Sequence, residues 1–152
     1  GLLGMETDDP CLPDSLRIAY ESSMEVAFIP KSDQVDHPNT ARILLKKGER
    51  CLDVTGTSIG GGNIQITEMN GFKINLSIGT PTLITTHRDV PGMVAKITKI
   101  LADAQVNIGT MTVTREAVGE AAIMIIEMDS RESQVIESIR ALPQVLNVTY
   151  FE

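Results

Sequence analysis

The second half of the chain alternates β-rich runs with stretches that carry apolar residues at helical spacing. Strands are predicted at 82–87, 108–114, 121–128 and 145–151. Helical spacing is kept by Val94, Ile97, Ile100 and Leu101, and again by Val135, Ile136, Ile139 and Leu142. The resulting order, β-α-β-β-α-β, predicts a ferredoxin-like fold.

Local signals are expected to start these two helices. Pro91 suits the first turn of the first helix, because its missing N–H has no helical partner there. Residues 129–132 have the composition of a capping box before the second helix.

The first half is less regular and richer in glycine. We expect a helix from Ser15 to about Met24, capped by Asp14, and then a short strand at 26–29 that ends before Pro30. A polar loop at 31–39 precedes predicted strands at 41–45, 50–55, 63–67 and 72–77. Asn70-Gly71 is a strong hairpin signal between the last two strands. The pattern predicts a mostly antiparallel α/β layer.

Gly79-Thr80-Pro81 interrupts the pattern between these halves. Proline cannot extend a strand ladder, and the preceding glycine loosens the backbone. We therefore predict a first domain at 1–79 and a second at 80–152, and an α+β fold class for the whole chain.

Composition narrows the function. The 152 residues are 42% hydrophobic but only 3% aromatic, so the predicted core is aliphatic. The net charge of −7 is spread over both halves, which argues against a nucleic-acid or anionic-membrane surface. No apolar run approaches the roughly 20 residues of a spanning helix, and no signal peptide is evident. We expect a cytoplasmic protein.

Few side chains suit metal binding or catalysis. Cys11 and Cys51 are far apart in the sequence and are expected to be reduced thiols, although one disulfide is possible. Two cysteines and two histidines do not suit a four-ligand zinc site or a [4Fe–4S] cluster. We predict no metal site and no catalytic residue on this chain. Because the sequence opens with Gly1 rather than Met, we expect a fragment or a processed chain.

A first candidate site combines a strand end with a helix start. It comprises His87, Asp89, Gly92, Met93 and Asn107. Asp89 and the Asn107 amide oxygen can accept hydrogens from an ammonium group, while N–H groups near Gly92 and Met93 suit a carboxylate. His87 can donate to a carboxylate or a hydroxyl. The alternative is an ordinary helix start with Asp89 as its cap.

A second candidate site joins two segments of the first half. A polar loop provides His37, Asn39 and Thr40, with Arg42 nearby, and a glycine-rich segment provides Ser58, Gly60, Gly61 and Gly62. These groups suit an anion or a substrate carboxylate, because glycines expose backbone N–H groups. The alternatives are an Asx-type turn and a flexible strand connection. Neither a P-loop nor a Rossmann fingerprint is present.

Residues 80–152 resemble an ACT domain, the small ligand-binding module of many enzymes of amino-acid metabolism. The resemblance rests on residues 87–92, on 106–109 and on the β-α-β-β-α-β order. In serine-responsive members the effector lies between paired domains, which implies effector contacts at His87, Asp89 and Asn107 and a homodimer. Asp89 stands where some members carry Asn.

The whole chain is similar to the β chain of bacterial iron–sulfur-dependent L-serine dehydratases. The motifs are Asp36–Ile43, Ser58–Ile64 and Glu68–Phe72, in that order. The resemblance implies an allosteric substrate-binding domain followed by the ACT domain, and a [4Fe–4S] cluster held by a separate α chain. The family's upstream Ser-Ser-Ser-His-Thr motif is absent, so the N-terminal part of the first domain is expected to be missing.

Two other interpretations stay open at this point. The C-terminal regulatory region of a D-3-phosphoglycerate dehydrogenase can carry the same two modules, whereas the His37 loop and the glycine segment together favour the dehydratase. A free-standing amino-acid sensor without an enzyme partner is the second alternative.

Overall fold

The computed structural model describes residues 1–32, 37–77, 79–130 and 132–151. The chain divides into two compact units, 1–35 and 36–152. Part of the predicted polar loop (33–36, including Asp36 of the second candidate motif) and Arg131 of the predicted capping box lie outside the described residues.

The N-terminal unit contains one short helix. A 3-10 turn at Leu12–Asp14 leads into α1, Ser15–Glu21. Asp14 occupies the predicted N-cap position before Ser15, but its side chain makes no capping hydrogen bond. The helix also ends earlier than predicted: Ser23 adopts a left-handed conformation (φ +58°), and the Met24 N–H returns to the Ala19 carbonyl.

The predicted strand at 26–29 is wrong. These residues form no β-ladder with any described part of the chain, and Phe28 and Ile29 are exposed. An apolar run has strand character only when a second strand supplies its hydrogen-bond partners, and none is described beside this one.

The 36–152 unit begins with a four-stranded antiparallel sheet. Its strands are β1 (Thr40–Lys47), β2 (Arg50–Gly60), β3 (Asn63–Met69) and β4 (Phe72–Ser77), in the order β1-β2-β3-β4. The Asn70-Gly71 hairpin is confirmed, since both residues have positive φ, as a two-residue turn between twisted strands requires. All four predicted strands are present, and β2 extends five residues beyond its predicted end.

The second sheet and its two helices have the predicted order. The elements are β5 (Thr82–Arg88), α2 (Met93–Asp103), β6 (Ile108–Arg115), β7 (Ala121–Met128), α3 (Ser133–Arg140) and β8 (Val145–Phe151). The strands lie in the order β6-β7-β5-β8, and every pair is antiparallel. The β-α-β-β-α-β fold and the α+β class are therefore confirmed.

The helix starts differ from the sequence-based expectation. Gly92, in a left-handed conformation (φ +86°), is the N-cap of α2, so Pro91 lies before the helix rather than in its first turn. Glu132 is the N-cap of α3 and makes no side-chain capping bond, so the predicted capping box is wrong in its described part.

Two apolar clusters give the 36–152 unit three layers. One face of the second sheet packs on α2 and α3 through residues such as Leu83, Ile97 and Met124. The other face packs on the first sheet, where Ile84 and Ile123 contact the cluster that includes Leu76. Adjacent residues of β5 thus contribute to different layers, as alternation along a strand requires. Both sheets share one buried interior.

None of the described helices is long and apolar enough to cross a membrane.

Candidate functional site

The end of β5 places His87 inside the protein. Its side chain is 2% exposed, and Nδ1 lies 2.9 Å from the Arg88 carbonyl oxygen. Because a carbonyl only accepts hydrogen bonds, Nδ1 carries the hydrogen, and Nε2 of the neutral ring is an acceptor. No described group satisfies this buried Nε2. In the neutral ring Nε2 is therefore an acceptor, whereas the sequence-based prediction gave His87 the role of a donor.

Asp89 follows β5 and contacts the β6–β7 hairpin. Arg115 Nη1 and the Gly119 N–H both donate to Asp89 Oδ2, each over 3.3 Å. The backbone N–H of Asp89 donates to the Glu120 carbonyl over 2.8 Å. Within the described contacts Oδ1 has no donor, so this oxygen can accept from a ligand ammonium group. Asp89 does not cap α2, because Gly92 occupies that position.

Gly92 and Met93 begin α2 three residues after Asp89. A Cβ at Gly92 would contact nothing within 4 Å, but the left-handed backbone favours glycine. Met93 is 2% exposed and belongs to the core, and its N–H makes only a long contact of 3.4 Å with the Val90 carbonyl. The first turn of α2 therefore presents N–H groups without strong helical partners, which suit an anion.

Asn107 lies at the opposite end of the second sheet. It precedes Ile108, which pairs with Met128, whereas Asp89 contacts Arg115 at the far end of the same strand. At about 3.3 Å per residue, the eight residues of β6 separate these ends by more than about 20 Å. Asn107 Nδ2 donates to Asp129 Oδ2 over 2.9 Å, which leaves the amide oxygen as the acceptor. One copy of the chain does not bring Asn107 to Asp89.

The two segments of the second candidate site do come together. The Ser58 N–H donates to the Asn39 carbonyl over 3.0 Å, and Thr40 pairs with Thr57. Thr40 Oγ1 donates to the His37 carbonyl over 2.6 Å and lies 3.1 Å from Thr57 Oγ1. The start of β1 and the end of β2 thus share one end of the first sheet.

The glycine segment forms a tight turn at this end. Gly60 pairs with Asn63, and Gly61 and Gly62 form the two-residue turn with φ values of +62° and +79°. Positive φ at both turn positions matches the twist of the strands, which explains the glycines locally. The alternative interpretation, in which the glycines only connect two strands, is therefore sufficient to explain why glycine occurs in this turn.

His37 presents a donor at the same end. The Asn39 N–H donates to His37 Nδ1 over 3.2 Å, so the neutral ring carries its hydrogen on Nε2. His37 is half-buried, while Asn39 and Ser58 are exposed. The arrangement offers N–H and O–H donors to an anion.

Arg42 is engaged elsewhere. Its Nε donates to Asp53 Oδ1 over 2.9 Å, and Nη2 donates to Oδ2. These hydrogen bonds hold the pKa of Asp53 below its ordinary value of 3.8 and raise the pKa of Arg42. Arg42 therefore stabilises the pairing of β1 and β2.

The donor set does not fit an iron–sulfur cluster. Cys11 and Cys51 are exposed free thiols and belong to different units. In the described ranges, no group of three or more His, Cys, Asp and Glu side chains is placed to hold a metal. A [4Fe–4S] cluster normally needs more cysteine ligands than the two in this sequence.

Sequence reasoning missed two groups of the first site, Arg115 and the Gly119 N–H. The usable signal was topological. In the β-α-β-β-α-β order, β5 and β6 both run antiparallel to β7 and are therefore parallel to each other. Their C-terminal ends consequently lie at the same end of the sheet.

Comparison with known proteins identifies both halves of the chain. The family model of the ACT domain matches residues 82–144. The probable L-serine dehydratase beta chain of Bacillus subtilis is 35% identical over 150 residues, which cover 98% of this chain and 68% of that protein. The L-serine dehydratase beta chain of Peptoniphilus asaccharolyticus is 24% identical, over 91% of this chain and 63% of its own length.

A dehydrogenase shares part of this similarity. The D-3-phosphoglycerate dehydrogenase of Bacillus subtilis is 26% identical over 86% of this chain, but the match covers only 25% of the dehydrogenase. The dehydratase beta chain of the same species matches more of this chain at higher identity. The chain belongs to the family of L-serine dehydratase beta chains.

Proposed function

We propose that this chain is the regulatory β subunit of an iron–sulfur L-serine dehydratase, a lyase that converts L-serine to pyruvate and ammonia. The similarity to a dehydratase beta chain over 98% of the sequence carries this proposal. The catalytic centre and its [4Fe–4S] cluster belong to a partner α chain, since the two cysteines of this chain do not suit a cluster. We place the assembly in the cytoplasm, where exposed free thiols stay reduced.

The proposal assigns the ACT domain to binding L-serine or a similar small amino acid. Asp89 Oδ1 and the Asn107 amide oxygen accept from the ammonium group, while N–H groups at Gly92 and Met93 face the carboxylate. Because Asp89 and Asn107 lie at opposite ends of one sheet, a site that uses both needs two copies of the chain.

Antiparallel pairing of two β6 edges supplies that geometry. The sheet order leaves β6 at an edge, and the first sheet covers the face opposite the helices, so an edge is the available route for extending the sheet. When two copies of β6 pair about a two-fold axis, the start of one strand lies beside the end of the other. Asn107 of one copy then lies beside Arg115 and Asp89 of its partner, twice per dimer.

Complementation between two defective variants tests the shared site. We expect Asp89→Ala and Asn107→Ala each to weaken L-serine binding, because the ammonium group of the ligand loses an acceptor in either variant. In a mixed dimer of the two variants, one site has lost both residues and the other has kept both. Calorimetry on the mixture should detect one intact serine site per mixed dimer, which is half the number in a wild-type dimer.

Three results would count against the shared site. Unchanged affinity in both variants removes the residues from the site, and light scattering that shows a monomer with and without serine removes the dimer. A mixture that recovers no binding shows that Asp89 and Asn107 do not act across a two-fold interface.

Co-purification tests the assignment as a dehydratase subunit. Expressed in its native cell, the tagged chain should bring down an iron-bearing partner, and dehydratase activity should co-elute with it. The alternative is the regulatory region of a D-3-phosphoglycerate dehydrogenase. The weaker match over 86% of the chain supports it, and it requires an attached nucleotide-binding region instead. A stable dimer that binds serine and brings down nothing supports a free-standing sensor.

The first domain, 1–79 in our division, is proposed to bind an anionic group such as a substrate carboxylate. The proximity of His37, Asn39 and Thr40 to Ser58 supports this, together with the N–H groups of the turn Gly60–Gly62. Replacing His37 by Ala should weaken binding of a carboxylate ligand without changing the fold, because the half-buried ring contributes a donor rather than core packing. Unchanged carboxylate binding in that variant would remove His37 from the site.

A further inference from the structure

Arg115 is the charged partner of Asp89 at the end of the second sheet. Its Nη1 lies 3.3 Å from Asp89 Oδ2, with the arginine side chain 57% exposed and the carboxylate side chain 24% exposed. Arg115 pairs with Ala122 on β7, so the side chains of Arg115 and Ala122 project to the same face of the sheet. That face carries α2, as the packing of Met124 against the helices shows.

An amino acid at this site presents two opposite charges. Asp89 can bind the ammonium group. The first candidate site, as predicted from the sequence, contains no arginine or lysine that could bind the carboxylate. His87 directs Nδ1 to the Arg88 carbonyl, and its Nε2 is buried within the protein. Among the described contacts of Asp89, Arg115 contributes the positive charge.

The guanidinium has donors left after it contacts Asp89. Arginine carries five N–H donors in a planar fork that matches a carboxylate, and only the contact from Nη1 to Asp89 is described here. The exposed side chain can bind a ligand without losing core packing. A carboxylate placed between Arg115 and the first turn of α2 would also meet the N–H groups that follow Gly92.

We propose that Arg115 determines the specificity of this site by binding the α-carboxylate of the effector while Asp89 binds the α-ammonium group. This rests on the proposed function of the ACT domain as an amino-acid site. It gives Arg115 two simultaneous roles: it holds the Asp89 carboxylate in place and it selects zwitterionic ligands over their uncharged or decarboxylated analogues.

The test compares ligands with and without the carboxylate charge. Calorimetry on the full chain with L-serine and L-serinamide measures how strongly the site prefers the charged group. Arg115→Gln should weaken L-serine binding roughly tenfold to hundredfold, because a charge-assisted hydrogen bond to the ligand is lost. Its affinity for L-serinamide should change much less, so the preference for serine falls. Arg115→Lys, which keeps a point charge without the fork, should recover part of that preference.

A matched control is Arg140→Gln. Arg140 pairs with Glu137 on the exposed side of α3 and should leave both affinities unchanged. A thermal melt of each variant without ligand shows that the fold is intact, and Arg115→Lys carries the test if Arg115→Gln does not fold.

The outcomes separate this inference from the function on which it rests. A wild-type chain that binds no amino acid contradicts the proposed function of the ACT domain, and with it the role of Arg115. If the wild-type chain and Arg115→Gln bind L-serine with equal affinity, the role of Arg115 is overturned while the proposed function of the ACT domain stands. Equal loss for serine and serinamide also overturns it, because a residue that only positions Asp89 would not distinguish the two ligands.

Discussion

The two histidines present opposite chemistry at the same ring nitrogen. His87 Nδ1 faces a carbonyl and therefore carries the hydrogen, whereas His37 Nδ1 accepts from the Asn39 N–H. In the neutral rings, Nε2 of His87 is an acceptor and Nε2 of His37 is a donor. His87 thus suits ligand hydrogens such as those of a hydroxyl or an ammonium group, and His37 suits an anion.

The Arg42–Asp53 pair makes stability depend on pH. The hydrogen bond from Arg42 lowers the pKa of Asp53 below 3.8, so the folded state binds this proton less readily than the unfolded state. The contribution is present above the ordinary pKa and is lost as the pH falls through the lowered value. Urea unfolding should show wild type more stable than Asp53→Asn at pH 7, with the difference shrinking as the pH falls below about 4.

Asp103→Asn serves as the control for this measurement. Asp103 pairs with Lys99 on the exposed side of α2, where an ion pair contributes little. If the difference in unfolding free energy between wild type and Asp53→Asn does not change with pH, the stabilisation does not depend on the ionisation of Asp53.

Turn residues and the alternation of apolar and polar residues predicted the elements of this chain better than the helix-capping signals did. In the 36–152 unit every predicted strand is present, because alternation and turn residues act over a few positions. Gly71, with φ +85° and open space around its Cβ position, shows how local such a signal is. The residue is required by the backbone conformation and not by packing.

Gly71→Ala should destabilise the protein by about 1 kcal/mol, because a side chain disfavours the left-handed conformation. Gly109 offers the matched control. It lies in β6 without positive φ, and a Cβ there would meet the Glu127 carbonyl at an ordinary 3.7 Å. We expect Gly109→Ala to be neutral or slightly stabilising in the same denaturant titration. Equal effects of the two substitutions would contradict a backbone origin.

What the sequence did not predict depends on partners far along the chain. The run at 26–29 has strand composition, but no described strand lies beside it. The helix starts at Ser15 as predicted, with Asp14 at the N-cap position, but the Asp14 side chain makes no capping hydrogen bond. The contact between Arg115 and Asp89 spans 26 residues and becomes visible only once the strand order is known. The sequence pattern and the ACT-domain resemblance grouped Asn107 with Asp89, and the strand order shows that these two residues lie at opposite ends of the sheet within one copy.

At the scale of the molecule, the two sheets share one interior. Leu76 of the first sheet is 1% exposed and lies in the same cluster as Ile84 and Ile123 of the second. Residues 36–152 accordingly form one compact unit. The boundary predicted at Gly79–Pro81 thus lies between two sheets whose apolar faces cover each other.

Leu76→Ala tests whether these modules unfold together. The substitution should cost about 2–5 kcal/mol, because it removes a buried side chain and enlarges the space between the two sheets. If the two sheets unfold as one cooperative unit, hydrogen exchange should accelerate in β5 and β7 by the same factor as in β4. Acceleration confined to β1–β4 would instead support independent domains on either side of Pro81.

If both residues bind one ligand as proposed, the placement of Asp89 and Asn107 at opposite ends of the sheet couples ligand binding to self-association. In the proposed two-fold site, each bound amino acid touches two copies and therefore adds its binding free energy to the dimer alone. By mass action, the half-saturating concentration of effector falls as the concentration of the chain rises. The cellular level of the subunit then sets its sensitivity to the amino acid, so that synthesis of more subunit lowers the threshold of the response.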